Sequence, residues 1–178
     1  MKKFFDNKDA LRKFLSEIKS ELCPHCLKRT YLIIHSIVYR KTINGSQLFT
    51  GQRIFCSNRG SKKGCGKTFQ LYLSVFIPKL NYSAIELNYF LSEVEENSSI
   101  NESYLKATNT IDSRNAYRWL SRIKQKIFEL RSFSYKLFHP IRKAASKNYL
   151  IETISNLKKI LQTNFVKSYQ LINQVPFI

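Results

Sequence analysis

Cys23-Pro24-His25-Cys26, then Cys56, then Cys65-Gly66-Lys67-Thr68-Phe69 are the stretches whose reading decides the fold. The chain has four cysteines, and they fall into two pairs. Two residues between Cys23 and Cys26 is the spacing at which two thiolates grip one tetrahedral ion from a tight turn. Cys56 and Cys65 form a looser bracket, with eight residues between them. Gly60, Gly64 and Gly66 permit that excursion, because glycine tolerates the positive φ of tight loops.

Thiolates arranged as two such turns predict one structural Zn2+ held by Cys23, Cys26, Cys56 and Cys65. Four buried cysteines without metal are one alternative. A redox Cys-x-x-Cys is another, but it needs a βαβ setting that the flanking sequence does not offer. His25 sits inside the first turn, where it is a possible substitute ligand. His35 reads as a packed or surface residue of a strand, and His139, before Pro140, as a loop residue. A catalytic zinc keeps an open position and a nearby carboxylate base. No His-x-Glu or His-Glu-x-x-His occurs here, so the expected role is structural. Such sites contribute about 10–16 kcal/mol of apparent folding energy in small peptides.

The sequence around the cysteines is β-like. Residues 31–39 are rich in β-branched and aromatic side chains, Asn44-Gly45 is a hairpin turn signal, and residues 47–55 can return as the partner strand. Residues 68–77 read as a third strand. Cysteine turn, hairpin, cysteine turn and strand is the layout of a zinc ribbon. Before it, residues 7–22 place Leu11, Phe14, Leu15, Ile18 and Leu22 on one helical face, with Asp6 or Asn7 as cap. After Pro78 the pattern turns helical. Ser83 with Glu86, and Ser99 with Glu102, form capping boxes. Asp112 is placed to cap a third, longer helix. A last helix near 147–163 carries Leu150, Ile154, Leu157 and Leu161, and Pro140 separates it from the third. The predicted class is α+β: a small antiparallel zinc-ribbon module flanked by an N-terminal helix, then a helical, helix-turn-helix-like half. The corresponding domains are 1–78 and 79–178.

Thirty Lys and Arg against twelve Asp and Glu leave a net charge of +18. A field of that size attracts polyanions, nucleic acid foremost. An anionic membrane surface is the rival partner, and a merely lysine-rich surface the bland one. The charge is unevenly placed. Residues 53–67 carry Arg53, Arg59, Lys62, Lys63 and Lys67 and no acid, and residues 81–112 are acidic. Residues 113–147 are basic apart from Glu129. The longest apolar run, 71–77, stops at Pro78, short of the ~20 residues of a membrane span. Asp6, Lys8 and Asp9 interrupt a signal-like start. A cytoplasmic protein is expected, where paired cysteines bind metal more often than they cross-link.

The third helix has two faces. Ala116, Trp119, Leu120, Ile123, Ile127 and Leu130 point to a core, with Tyr117 and Trp119 read as anchors. Arg114, Arg118, Arg122 and Lys126 recur every four residues. Like charges at that spacing disfavour an isolated helix, so the ridge makes more sense beside an anion than as an incidental solvated face. In a helix-turn-helix unit the first residues of the second helix meet base edges. Ser113, Arg114, Asn115 and Arg118 would then read bases, Arg on guanine and Asn on adenine. Arg122, Lys124 and Lys126 would meet phosphates.

Cys-Pro-x-Cys, Gly51-Gln52-Arg53-Ile54-Phe55-Cys56 and Cys65-Gly66-Lys67-Thr68-Phe69 resemble the N-terminal zinc ribbon of bacterial insertion-sequence transposases. The stretch Cys56-Ser57-Asn58-Arg59-Gly60, with Gly64 to Phe69 and Tyr117-Arg118-Trp119, also resembles a group of small bacterial zinc-ribbon proteins. The resemblance runs over roughly residues 21–135. It implies a helix-turn-helix that binds the ends of a mobile element. Such transposases also carry a catalytic Asp/Asp/Glu set on a further domain. The three Asp here, Asp6, Asp9 and Asp112, sit on no predicted buried strand. The implied protein is therefore not an enzyme but a double-stranded-DNA-binding accessory or regulator of transposition. The alternatives are an adaptor for protein partners in a nucleoprotein complex, and an RNA binder.

Overall fold

A computed structural model describes residues 2–41, 46–78, 80–96, 99–137 and 148–178. The chain is α+β and divides into two compact units. One comprises Met1–Asn81 with Gln170–Val175, the other Tyr82–Tyr169 with Pro176–Ile178. The Asn44-Gly45 turn, His139 and Pro140 lie outside the described residues.

The first unit is built on β1 (Lys2–Phe5), α1 (Lys8–Ser16), β2 (Leu32–Lys41), β3 (Gln47–Cys56) and β4 (Thr68–Leu73). They form one sheet in the order β1-β4-β3-β2. β2–β3 and β3–β4 are antiparallel, as a ribbon requires. β1 corrects the all-antiparallel expectation, because it runs parallel to β4 from Lys2 opposite Gln70 to Phe5 opposite Leu73. Four residues, two of them lysines, carry no strand periodicity. They pair because the edge of β4 is open and Phe4 and Phe5 gain burial on it. Gln174 closes the strand from the far end of the sequence: its amide donates to the Phe4 carbonyl at 3.1 Å and accepts from the Phe4 N–H at 2.6 Å. Gln170 is wholly buried and donates to the carbonyls of Ser74 and Phe76. The segment 170–175 thus belongs to the first unit, whereas the sequence reading gave all of 79–178 to the second.

The core of this unit gathers Phe5, Leu11, Ile18, Leu32, Ile54, Phe69, Leu71 and Leu73 around Cys23 and Cys56. Asn7 caps α1 by accepting the Ala10 N–H at 2.9 Å. The helix ends at Ser16 rather than near 22, and single turns carry the chain past an exposed Leu22. β4 stops at Leu73, because the Phe76 N–H turns back to the Leu73 carbonyl. At Gly51 the sheet admits no side chain, since a Cβ there would lie 1.9 Å from the Leu71 oxygen.

The second unit holds α2 (Ala84–Glu95), α3 (Ile100–Thr108), α4 (Arg114–Gln125), α5 (Ile127–Leu137), α6 (Tyr149–Leu161) and, after a 3-10 turn, the start of α7 (Phe165–Asn173). The Ser83–Glu86 capping box is formed in both directions. Ser99 accepts the Glu102 N–H, but the Glu102 carboxylate lies against Lys106 at 3.4 Å. The long third helix is two helices, broken at Lys126. Ser113 stands at the N-cap of α4 without a side-chain cap bond, and the Asp112 carboxylate takes the Arg114 N–H instead.

Trp119 anchors this unit. Its ring meets Tyr82, Phe90 and Tyr104 edge-on, with centroids 4.8, 5.4 and 5.2 Å away. Edge-to-face pairs add to the burial of large apolar area. Tyr117, expected as a second anchor, is 52% exposed. Trp119→Ala is expected to cost about 3–5 kcal/mol. Urea unfolding followed by far-ultraviolet circular dichroism measures this, and a loss under ~1 kcal/mol would contradict the anchoring role.

Candidate metal centre

Two backbone turns present the four sulfurs. In the first, the Leu27 N–H donates to the Cys23 carbonyl at 2.8 Å and the Cys23 N–H to the Lys28 carbonyl at 3.0 Å. Leu27 and Thr30 take positive φ to close it. The His25 N–H points at the Cys23 sulfur, 3.4 Å away. The second turn has the same logic. The Gly66 N–H donates to the Cys56 carbonyl at 2.9 Å, and the Cys65 N–H to the Cys56 sulfur at 3.3 Å. The long spacing between Cys56 and Cys65 is a loop pinched off at its neck, where the Gly64 N–H meets the Ser57 carbonyl at 2.9 Å. A Cβ on Gly64 would stand 2.2 Å from that oxygen and 2.8 Å from the Cys56 sulfur. Only glycine fits at the neck.

All four sulfurs lie within 4.8 Å of one another. Cys23 and Cys65 are 3.7 Å apart, and Cys26 and Cys56 3.8 Å apart. A tetrahedron with ~2.3 Å metal–sulfur arms has edges of ~3.8 Å, so the cluster is compatible with a thiolate-bound ion. A disulfide would need ~2.05 Å, and the cysteines are free. Among the described residues no carboxylate or imidazole joins the cluster. His25 contributes only its backbone. His35 bonds Ser36 and sits edge-on to Phe55 at 6.0 Å.

The thiols differ in acidity. Burial pushes Cys56 up to about 12 and raises Cys23. The Lys28 backbone N–H draws Cys26 down to about 7. A bound cation would override burial and hold all four as thiolates.

The structure brings part of the expected cationic set to this centre. Arg59, Lys62 and Lys63 are exposed on the pinched loop, and Lys67 at its exit. The Arg59 guanidinium lies over the Phe55 ring at 5.5 Å. Arg53 stands apart, half-buried on β3. Sequence reading missed Lys28 and Arg29, both exposed just after the first turn. The Lys28 ammonium donates to the Lys63 carbonyl at 3.2 Å and so joins the two loops. Their position beside Cys26 was the only available signal, since a separation of thirty-five residues hides the contact.

In the second unit, Arg114, Arg118, Arg122 and Lys124 are exposed on α4, opposite buried Ala116, Trp119, Leu120 and Ile123. Arg114 is forked onto Asp112, whose carboxyl it holds at about 2. Asn115 is half-buried; its oxygen is 3.4 Å from Arg118 Nη1. Ser113 is half-buried as well. Lys126 leaves the ridge: it is half-buried at the break before α5, and its ammonium donates to the Pro176 carbonyl at 2.8 Å. Burial lowers its pKa.

Comparison with protein-family models, with curated proteins and with solved structures gives no match for this chain. No helix among the described residues is long and apolar enough to cross a membrane.

In metal-free protein at pH 7.5, iodoacetamide should label Cys26 fastest. The rate should fall as pH drops below about 7, where its thiolate is protonated. Peptide mapping reads the order, and preferential labelling of Cys56 would contradict it. Reconstitution with Co(II) should give the intense visible bands of a tetrahedral thiolate site. Cys56→Ser should weaken them and lower bound metal below one ion per chain by elemental analysis.

Proposed function

We propose that the four cysteines hold one structural zinc ion in a ribbon module, and that the protein binds double-stranded DNA. Its role is that of an accessory or regulator of a mobile element, and it is not an enzyme. The observation that carries this reading is α4. Its exposed side bears Arg114, Arg118, Arg122 and Lys124, and the helix contains no acidic residue. Its buried side is locked by Trp119. Asn109 ends α3 in the left-handed conformation, at φ 53°, and turns the chain toward α4 within five residues. Helix, tight turn and basic helix is the arrangement that lays a second helix into a major groove. Arg122 and Lys124 have no carboxylate partner among the described residues, so they are available to phosphates. The cations of the two cysteine loops supply a further phosphate-binding surface in the first unit.

A second reading, a ribbon adaptor for protein partners, is favoured by the outer strand β2. Ile34, Ile37 and Tyr39 are about half exposed there, and an open strand edge can pair with another chain.

The test is fluorescence anisotropy on a duplex of random sequence at two salt concentrations. Arg118→Glu and Arg122→Glu should each weaken binding about tenfold or more and reduce the salt slope by about 1. Metal content should stay unchanged. Wild-type affinity in both variants would remove α4 from the mechanism, and retained pull-down of protein after nuclease treatment would favour the adaptor.

A further inference from the structure

Arg40 is the only charged side chain among the described residues with buried atoms that lack any hydrogen-bond partner: its Nε and Nη1 are enclosed and unbonded. Its guanidinium lies 5.7 Å from the centre of the Phe76 ring. Buried polar groups in native proteins are almost always paired, and an uncompensated buried cation is costlier than a neutral group. An exception on this scale calls for an anion.

The surroundings supply the space and withhold the anion. Arg40 opens on a cavity of 280 Å³, also lined by Lys41, Thr50, Tyr72, Phe76 and Asn81, all of the first unit. Among the described residues no carboxylate lines it. The wall is prearranged. β2 and β3 slip register between Val38 and Tyr39, leaving Thr50 as an extra residue on β3. The Thr50 hydroxyl donates to the Val38 carbonyl at 3.0 Å, and the Tyr72 hydroxyl to Gln70. Those two hydrogens are committed, so Arg40, Lys41, the Tyr39 hydroxyl and the Asn81 amide remain as donors. Strand bulges of this kind often stand beside binding sites, where they re-aim side chains. The cavity is also far from the cysteines. Arg40 is eight residues along β2 from Leu32, which pairs with Cys56, a distance of ~26 Å along an extended strand.

We propose that this cavity binds a phosphate monoester, with Arg40 as its principal ligand and Lys41 as the second cation. Two positive charges and no negative one complement a dianion better than a monovalent carboxylate. A guanidinium also matches the oxygens of phosphate in geometry as well as charge. The phosphate belongs either to a free nucleotide or to the end of a nucleic acid strand. The site is independent of the α4 reading.

Full-length protein is titrated with inorganic phosphate, adenosine 5′-monophosphate, adenosine and acetate. The 1H–15N spectrum reports on the Arg40 Nε–H and on the amides of Lys41, Thr50 and Asn81. Saturable shifts are expected with phosphate and the nucleotide, none with adenosine, and at least tenfold weaker binding of acetate. Arg40→Gln should weaken phosphate binding at least tenfold with metal content intact, while Arg118→Glu leaves it unchanged. Two oligonucleotides, one 5′-phosphorylated and one 5′-hydroxyl, separate the sources. A clear preference for the phosphorylated strand over the mononucleotide assigns a strand end, and equal binding of the mononucleotide assigns a free nucleotide. No saturable shift in the wild type, a response to acetate equal to that to phosphate, or unchanged affinity in Arg40→Gln overturns the proposal. If Arg40→Gln does not fold, the wild-type shift map decides, with Arg40→Lys as the variant that keeps a cation.

Discussion

The meeting of four cysteine sulfurs within 4.8 Å of one another is the interaction around which the first unit is built. The sulfurs bring together the turn after α1, the end of β3 and the loop that leads into β4. Two of them, on Cys23 and Cys56, are fully buried and pack with Leu32, Ile54 and Leu71 in one continuous core. The same residues therefore act as hydrophobic wall and as potential ligands. That duality explains the spread in acidity: burial raises Cys23 and Cys56, while the Lys28 N–H lowers Cys26. An unmetallated cluster would keep its inner thiols neutral, whereas a bound cation would hold all four as thiolates.

The second unit solves its stability problem differently. It has no cysteine and relies on an aromatic knot, Tyr82, Phe90, Tyr104 and Trp119, with the Tyr104 and Tyr82 hydroxyls bonded at 2.7 Å. Its acidic block is largely absorbed internally. Glu93 and Glu102 face Lys106, Glu95 and Glu96 face Lys158, and Asp112 faces Arg114. What is left unpaired on α4 is positive. The positive charge of this unit is thus left concentrated on α4 by the pairing of its acids.

Arg40 shows that part of a charged group can also be enclosed: the residue is half-buried, with its Nε and Nη1 shut away from solvent. A guanidinium beside a cavity with no carboxylate among its described lining residues is a different device from a solvated lysine on a loop. The loop cations at 59–67 are screened by salt, whereas a cation with enclosed nitrogens is screened far less.

The sequence by itself determined the α+β class, the four cysteines as one set, the β2–β3 pairing and the cap at Ser83, and it narrowed the cap of α1 to Asp6 or Asn7. These depend on local spacing, on period and on side-chain chemistry within a few residues. Tertiary structure alone decided that Lys2–Phe5 is a strand, that Gln170 and Gln174 complete the first unit, that Lys28 meets Lys63, and that Lys126 turns inward to Pro176. Each of those is a contact between residues remote in sequence, and no local pattern encodes it. Strand β1 exists because β4 offers an edge, and Lys126 departs from the ridge because the helix breaks beneath it. Arg40 belongs with them: on β2 it is one more alternating polar residue, and only the closing of Phe76, Thr50 and Tyr72 around it makes a cavity with a cation in its wall.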